Sequence, residues 1–126
     1  MRLLLDTGTF IWAVSSPDRI SKRAKEAMTS DAAVREISPL SLSEIAIKQA
    51  KGKLKFSKAD VELGISELKL RVLPYSLSHA YRFSDLPFHH TDPFDRMIIA
   101  QALEEEIPIL TSDGAFHLYK DLQIIW

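Results

Sequence analysis

Two kinds of hydrophobic pattern alternate along the chain. Short apolar runs that end at charges or turn residues are typical of strands buried in a parallel sheet, and they predict strands at 3–5, 36–39, 71–74, 107–111 and 123–125. Longer segments between them place apolar residues at helical spacing, as at Leu42, Ile45 and Ala46. Strands that alternate with helices predict an α/β fold, in which helices cover both faces of a parallel sheet.

Capping residues set the predicted helix boundaries. Helices are expected over 9–15, 22–29, 40–50, 58–68 and 93–106, and one more begins at Ser76 or Ser78 and runs toward residue 86. Ser21 and Ser57 stand where N-caps are expected, and Asp92 followed by proline is a common helix start.

Length and composition favour a single domain over residues 1–126, since 46% of the residues are hydrophobic. Cysteine is absent, which excludes disulfides and thiolate metal sites. The net charge is -1, so any nucleic-acid binding must be local or carried by a metal. Neither a signal peptide nor a membrane span is predicted, because Asp6 interrupts the N-terminal apolar run and no later run is long enough. We therefore expect a cytoplasmic protein.

Acidic residues follow the predicted strands at one edge of the sheet. Asp6 and Asp113 come after the first and fourth strands, Glu44 lies one turn into a helix, and Asp92 and Asp95 begin another. Open α/β sheets bind ligands beyond the carboxyl ends of their strands, where the strand order reverses. Carboxylates that converge there repel one another unless a divalent cation such as Mg²⁺ or Mn²⁺ neutralises them. If these acids converge, they form a metal site.

Each acid also has a purely structural interpretation. Asp6 could cap the helix that follows it, and Glu44 could pair with Lys48 one turn later. Asp92 with Pro93 is a standard helix start, in which Asp95 interacts favourably with the helix dipole. Asp113 could belong to a simple turn. Spacing alone leaves both interpretations open.

Four segments add a resemblance to a known family. They are Asp6-Thr7 with Phe10-Ile11-Trp12, LSEIAIK at 42–48, HTDPFDR at 90–96 running into IIAQA at 98–102, and LTSD at 110–113. In order and spacing they resemble the PIN domain of VapC-type toxins, and the DPFDR helix start is the most specific part. One position departs from the pattern, because the residue after Asp6-Thr7 is often His in similar sequences and is Gly8 here.

The resemblance implies a five-stranded parallel sheet in the order 3-2-1-4-5 and a Mg²⁺-dependent endoribonuclease, with Mn²⁺ as a substitute. It places the family's catalytic and metal-binding acids on Asp6, Glu44, Asp95 and Asp113, with Asp92 as an additional ligand or a residue behind the ligands. It also implies an RNA substrate, products with 5'-phosphates, a homodimer, and inhibition by a VapB-type antitoxin.

Basic residues in these segments, Lys48, Lys51 and Arg96, are candidate RNA contacts. Two other functions stay open: a PIN-like module that binds RNA or protein without cleavage, and a housekeeping RNA-processing nuclease without an antitoxin. The Asp-Thr-Gly at 6–8 also matches aspartic proteases, but that fold is nearly all β and has no place for the helix predicted after Asp92.

Overall fold

Five parallel strands form the centre of the fold. In this computed structural model, which describes residues 1–126, the strands are β1 (Arg2–Leu5), β2 (Val34–Ile37), β3 (Arg71–Val72), β4 (Ile109–Leu110) and β5 (Ile124–Ile125). They lie in the order β3-β2-β1-β4-β5, and every neighbouring pair is parallel. The predicted α/β fold and strand order are confirmed.

Six α-helices connect the strands: α1 (Thr7–Ser15), α2 (Lys22–Thr29), α3 (Pro39–Ala50), α4 (Lys58–Glu67), α5 (Leu77–Ser84) and α6 (Pro93–Glu105). Each one begins with a side chain that accepts a hydrogen bond from a backbone N–H of the first turn, and these caps are Asp6, Ser21, Ser38, Ser57, Ser76 and Asp92. None of the six has the length and apolar character that a helix needs to cross a bilayer.

The sheet separates two hydrophobic clusters, because the side chains of β1 alternate between its faces. Leu3 and Leu5 belong to one cluster, which takes side chains from α1, α2, α3 and α4. Leu4 belongs to the other, which takes side chains from α6 and from the segment after β4. All three leucines have no exposed surface. The central strand is thus buried on both faces, as its uninterrupted apolar run predicts.

The predicted position of β2 is wrong by two residues, since the strand spans Val34–Ile37 rather than 36–39. The Ser38 side chain accepts a hydrogen bond from the backbone N–H of Leu40, and Pro39 occupies the first turn of α3. Proline fits that helical position and cannot donate to a strand ladder, so the chain leaves the sheet before it.

The fourth strand is shorter than the predicted 107–111 and contains only Ile109 and Leu110. The backbone N–H of Ile107 donates to Ala102 O and so completes the end of α6 instead of joining the sheet. Two short 3₁₀ helices, Pro17–Arg19 and Gly114–Leu118, were not predicted. Elements this short have no apolar periodicity by which the sequence could reveal them.

Gly64 lets α1 and α4 approach closely. A Cβ at this position would lie 2.6 Å from Val14 Cγ2 and 3.0 Å from the ring of Phe10. Real Cβ atoms do not come so close to carbon, so this contact requires glycine despite its cost in a helix.

Candidate active site

The predicted acids lie at the carboxyl edge of the sheet. Asp6 directly follows β1, and Asp113 follows β4, which is the neighbour of β1. Glu44 lies on α3 after β2, and Asp92 and Asp95 begin α6. The chain continues from β1 toward β2 and β3 on one side and reaches β4 and β5 on the other. These acids therefore lie at the reversal of strand order, where such sheets bind ligands.

Asp6 is buried, and hydrogen bonds hold both of its carboxylate oxygens. Oδ1 accepts from the backbone N–H of Thr9 at 2.8 Å, which caps α1, and Oδ2 accepts from the Thr111 hydroxyl at 2.6 Å. Burial raises the pKa of Asp6 above its ordinary value, although these hydrogen bonds oppose the rise. The capping role proposed for Asp6 is confirmed, and it fixes the carboxylate in place at the edge of the sheet.

Glu44 is a second buried acid with a partner on each oxygen. The Thr7 hydroxyl donates to Oε1 at 2.7 Å, and Lys48 Nζ donates to Oε2 at 2.8 Å. The Glu44 side chain is 6% exposed, whereas that of Lys48 is 47% exposed. The ion pair expected one helical turn apart is present, and Lys48 offsets the charge of Glu44 from the solvent side.

Two acids lie in the first turn of α6. Asp92 Oδ1 accepts from the backbone N–H groups of Phe94 and Asp95 and so caps the helix. Burial, followed by the negative charges of Asp92 and Glu44, raises the pKa of Asp95 to about 7. At neutral pH this carboxyl is therefore near the midpoint of its titration unless a cation replaces the proton.

His90 connects Asp95 to Asp113. Its Nε2 lies 3.0 Å from Asp113 Oδ2 and 3.2 Å from Asp95 Oδ2. Burial raises the pKa of Asp113, but hydrogen bonds from His90 and from the backbone N–H of Ala115 lower it more, so the pKa lies below its usual value. The two acids that flank His90 thus differ in the direction of their pKa shifts: the pKa of Asp95 is raised and that of Asp113 is lowered.

Sequence reasoning missed His90. The four histidines lack the spacing of a zinc site. The signal that was available is its place two residues before Asp92 in the HTDPFDR segment. Its contact with Asp113 spans 23 residues and exists only once β4 lies beside β1.

The donor set fits a divalent cation. One oxygen each from Asp95 and Asp113, with a nitrogen of His90, lie within 4.8 Å of one another. Burial is the largest cause of the high pKa of Asp95, and the negative charges of Asp92 and Glu44 add to it, each more strongly than His90 opposes it. Carboxylate oxygens are the ligands that Mg²⁺ and Mn²⁺ prefer. Asp95 and Asp113 could hold such an ion. Asp6 and Glu44 lie close enough that their charges raise the pKa of Asp95, and the charge of Asp113 raises the pKa of Asp6.

Gly8, which departs from the family pattern, lies exposed in the first turn of α1. A Cβ there would meet only Asp6 Oδ1, at an ordinary contact distance of 3.9 Å. Its φ is not positive, so the backbone after β1 does not require glycine.

Lys48 and Lys51, two of the predicted RNA contacts, lie beside the acids. They line a cleft of about 210 Å³ together with Lys53, Asp92 and Phe94. A basic wall next to the carboxylates could hold the phosphates of a nucleic-acid strand.

Arg96, the third predicted RNA contact, lies against aromatic rings. Its guanidinium carbon is 4.8 Å from the ring centre of Phe83 and 4.6 Å from that of Phe88, and Nη2 donates to Leu86 O. The structure therefore brings the two lysines to the acids, whereas Arg96 packs against the residues that precede α6.

A model of the PIN domain matches residues 3–122. The chain belongs to the PIN domain family. This assignment accounts for the strand order and for the acids at its reversal, and it confirms the resemblance noted in the sequence. No curated protein matches the chain.

Solved structures with this PIN fold include toxin–antitoxin complexes. A chain of the VapBC2 complex from Rickettsia felis, bound to promoter DNA, is 16% identical with a TM-score of 0.76, over 98% of this chain and 97% of that one. A chain of DNA-bound VapBC from Salmonella typhimurium is 18% identical with a TM-score of 0.74, over 98% and 96%. VapBC-1 from nontypeable Haemophilus influenzae is 18% identical with a TM-score of 0.69, over 98% and 96%. At these identities the likeness is one of fold.

Proposed function

We propose that this PIN domain is a Mg²⁺-dependent endoribonuclease and the toxin of a VapC-type pair. The observation that supports this most directly is the convergence of acids from four separate segments at one edge of the sheet, where the pKa of Asp95 rises to about 7. A structural role does not require an acid to be buried beside other acids, where its ionised form is disfavoured, whereas a divalent cation would offset that cost.

In the proposed reaction, Asp6, Asp95 and Asp113 hold the cation, and Glu44 does so directly or through water. When bound, Mg²⁺ or Mn²⁺ supplies Lewis acidity toward a phosphodiester and lowers the pKa of water. Thr9 and Thr111 keep Asp6 oriented without rearrangement during the reaction. As the attacking water bonds to phosphorus, its proton passes to Glu44, whose carboxylate Thr7 and Lys48 hold in place. The bond from phosphorus to the 3'-oxygen breaks, and this leaving oxygen takes a proton from solvent water.

Lys48 and Lys51 place the RNA backbone. Because the net charge is -1, RNA must be attracted locally, and the cleft that these lysines line lies beside Glu44 and Asp92. Arg96 contributes to RNA binding through the loop that it orders. Cleavage leaves 5'-phosphate ends in this proposal.

A VapB-type antitoxin is the proposed partner, because the solved structures of this fold include VapBC complexes. We also propose that the protein is a homodimer and acts on RNA in the cytoplasm. Co-expression with any small open reading frame adjacent to its gene, followed by purification of a complex, would test the partner.

The test of the activity is cleavage of a pool of total tRNA and rRNA by purified protein. Wild-type protein should cleave in Mg²⁺ or Mn²⁺ and not in EDTA, and Asp95→Asn should be inactive. Asp18→Asn is the matched control, since Asp18 is exposed in the first 3₁₀ helix, and it should cleave like wild type.

Metal-dependent cleavage by Asp95→Asn at the wild-type rate would show that the activity does not depend on Asp95 and would refute the assignment. Binding of RNA without metal-dependent cleavage would favour a non-catalytic module. Cleavage without growth arrest on expression would favour a housekeeping nuclease over a toxin.

A further inference from the structure

The ring of His90 is held by contacts that do not involve the carboxylate groups. Its Nδ1 accepts a hydrogen bond from the backbone N–H of Asp92 at 3.0 Å, and its own backbone N–H donates to the Tyr119 hydroxyl at 3.0 Å. Its edge packs on Phe116, with 5.6 Å between ring centres and 86° between ring planes. The imidazole is therefore oriented before any cation or substrate arrives.

The contact with Asp92 determines which nitrogen carries the proton. A nitrogen that accepts from a backbone N–H has no hydrogen of its own, so the neutral ring carries its hydrogen on Nε2. This N–H points at Asp113 Oδ2, 3.0 Å away, and also faces Asp95 Oδ2 at 3.2 Å. A protonated Nε2 cannot ligate a cation, so His90 acts as a donor to the carboxylates although its nitrogen lies among the ligand atoms.

Of the two aspartates, Asp113 is restrained more by such a donor than Asp95 is. Its side chain is 42% exposed, whereas that of Asp95 is 18% exposed and that of His90 is 11% exposed. An exposed aspartate loses rotamer freedom when it binds an ion, and a fixed donor removes part of that loss in advance.

We propose that His90 is a positioning residue of the acidic site, whose Nε2 N–H holds the carboxylates of Asp95 and Asp113 beside each other so that both can bind one cation. The proposal rests on the proposed metal-dependent function and adds to it a residue that is itself neither a ligand nor a reacting group. Its effect should appear first in cation affinity, because donors behind metal ligands commonly change that affinity by about 10–100-fold.

Two substitutions separate the contacts of His90. His90→Asn keeps an acceptor near the backbone N–H of Asp92 but is too short to reach the carboxylates. His90→Gln places an amide N–H near the position of Nε2. His89→Asn is the matched control, since His89 is exposed and its ring packs on Tyr119 without a contact to the acids.

The experiment is Mn²⁺ binding to the full chain without RNA, measured by calorimetry and by electron paramagnetic resonance of free Mn²⁺ at fixed pH. We expect His90→Asn to bind about 10–100-fold more weakly, His90→Gln to recover most of the affinity, and His89→Asn to match wild type. Asp95→Asn should abolish the binding and so locate it at this site. Melting temperatures of the metal-free variants show whether each one folds.

The results distinguish failure of the positioning role from failure of the proposed nuclease. If His90→Asn binds Mn²⁺ like wild type while wild type cleaves RNA, the positioning role is wrong and the nuclease stands. If His90→Asn and His90→Gln lose affinity equally and melt earlier, the role of His90 is structural. If the wild type binds Mn²⁺ with the expected order of variants but cleaves no RNA, the positioning role stands and the nuclease is wrong. If Asp95→Asn does not affect Mn²⁺ binding, both are wrong.

Discussion

Replacement of Asp95 by Asn should stabilise the metal-free protein while it removes the proposed activity. The carboxyl of Asp95 has a pKa of about 7, against an ordinary value of 3.8, because it is buried beside Asp92 and Glu44. At 1.36 kcal/mol per pH unit, that difference corresponds to about 4 kcal/mol of stability lost when Asp95 is fully ionised. Asparagine has nearly the same shape and no charge. We therefore expect the free energy of unfolding to rise by about 2–4 kcal/mol at pH 8, after the cost of burying an amide is subtracted.

The pH dependence of this gain has a definite sign. The folded protein holds the proton of Asp95 more tightly than the unfolded chain does, so stability falls as the pH rises from the ordinary pKa of 3.8 to about 7. Below that window the carboxyl is protonated in both states and contributes no penalty. The free energies of unfolding of the variant and of wild type should therefore converge toward pH 4 and diverge toward pH 8.

Urea unfolding in EDTA, followed by tryptophan fluorescence, measures these free energies. Trp12 and Trp126 report tertiary structure because their ring centres lie 6.0 Å apart, although one is on α1 and the other follows β5. Asp18→Asn should unfold like wild type at every pH. Parallel profiles for wild type and Asp95→Asn between pH 5 and pH 8, or a less stable variant at pH 8, would refute the raised pKa of Asp95, which supports the proposed metal site.

Three further predictions concern other parts of the fold. Gly64→Ala should destabilise the protein by about 1–3 kcal/mol in the same urea assay, because its Cβ would overlap Val14, and an unchanged midpoint would contradict that packing. Gly8→Ala should stabilise α1 by about 0.5–1 kcal/mol and leave RNA cleavage unchanged, as measured by unfolding and by the cleavage assay. Glu105→Gln should cost about 1–2 kcal/mol at pH 7, because His79 Nε2 lies 2.8 Å from the carboxylate, and its hydrogen bond lowers the pKa of Glu105. This cost should shrink as the pH falls below 4.5, and a constant cost in acid would show that the charge is not responsible.

Much of the fold could be predicted because its determinants are local. The uninterrupted apolar run at Leu3–Leu5 indicates a strand buried on both faces, and Ser21 and Asp92 mark helix starts through hydrogen bonds to residues two or three positions away. The prediction failed where a local signal was misread. The predicted strand 36–39 includes Pro39, yet the cap at Ser38 places this residue in the first turn of α3.

The site was predicted in its residue types and in part of its geometry. All five predicted acids lie at the carboxyl edge of the sheet, and the structural roles proposed for Asp6, Glu44 and Asp92 are present as well. The two interpretations therefore do not exclude each other: a capping bond can orient an acid that also faces the site. Spacing alone could not show this, because it carries no information on which oxygen is already bonded.

Local signals in the sequence predict most of the helices and strands, most of the caps and the acids of the candidate site, since these depend on periodicity and on hydrogen bonds within a few residues. The tertiary structure is needed to show that His90 reaches Asp113 and that Arg96 lies against Phe83 and Phe88. It is also needed to show that the pKa of Asp95 rises to about 7. Those properties depend on distances and desolvation between segments far apart in the chain, and parallel pairing of β1 with β4 creates the edge at which those segments meet.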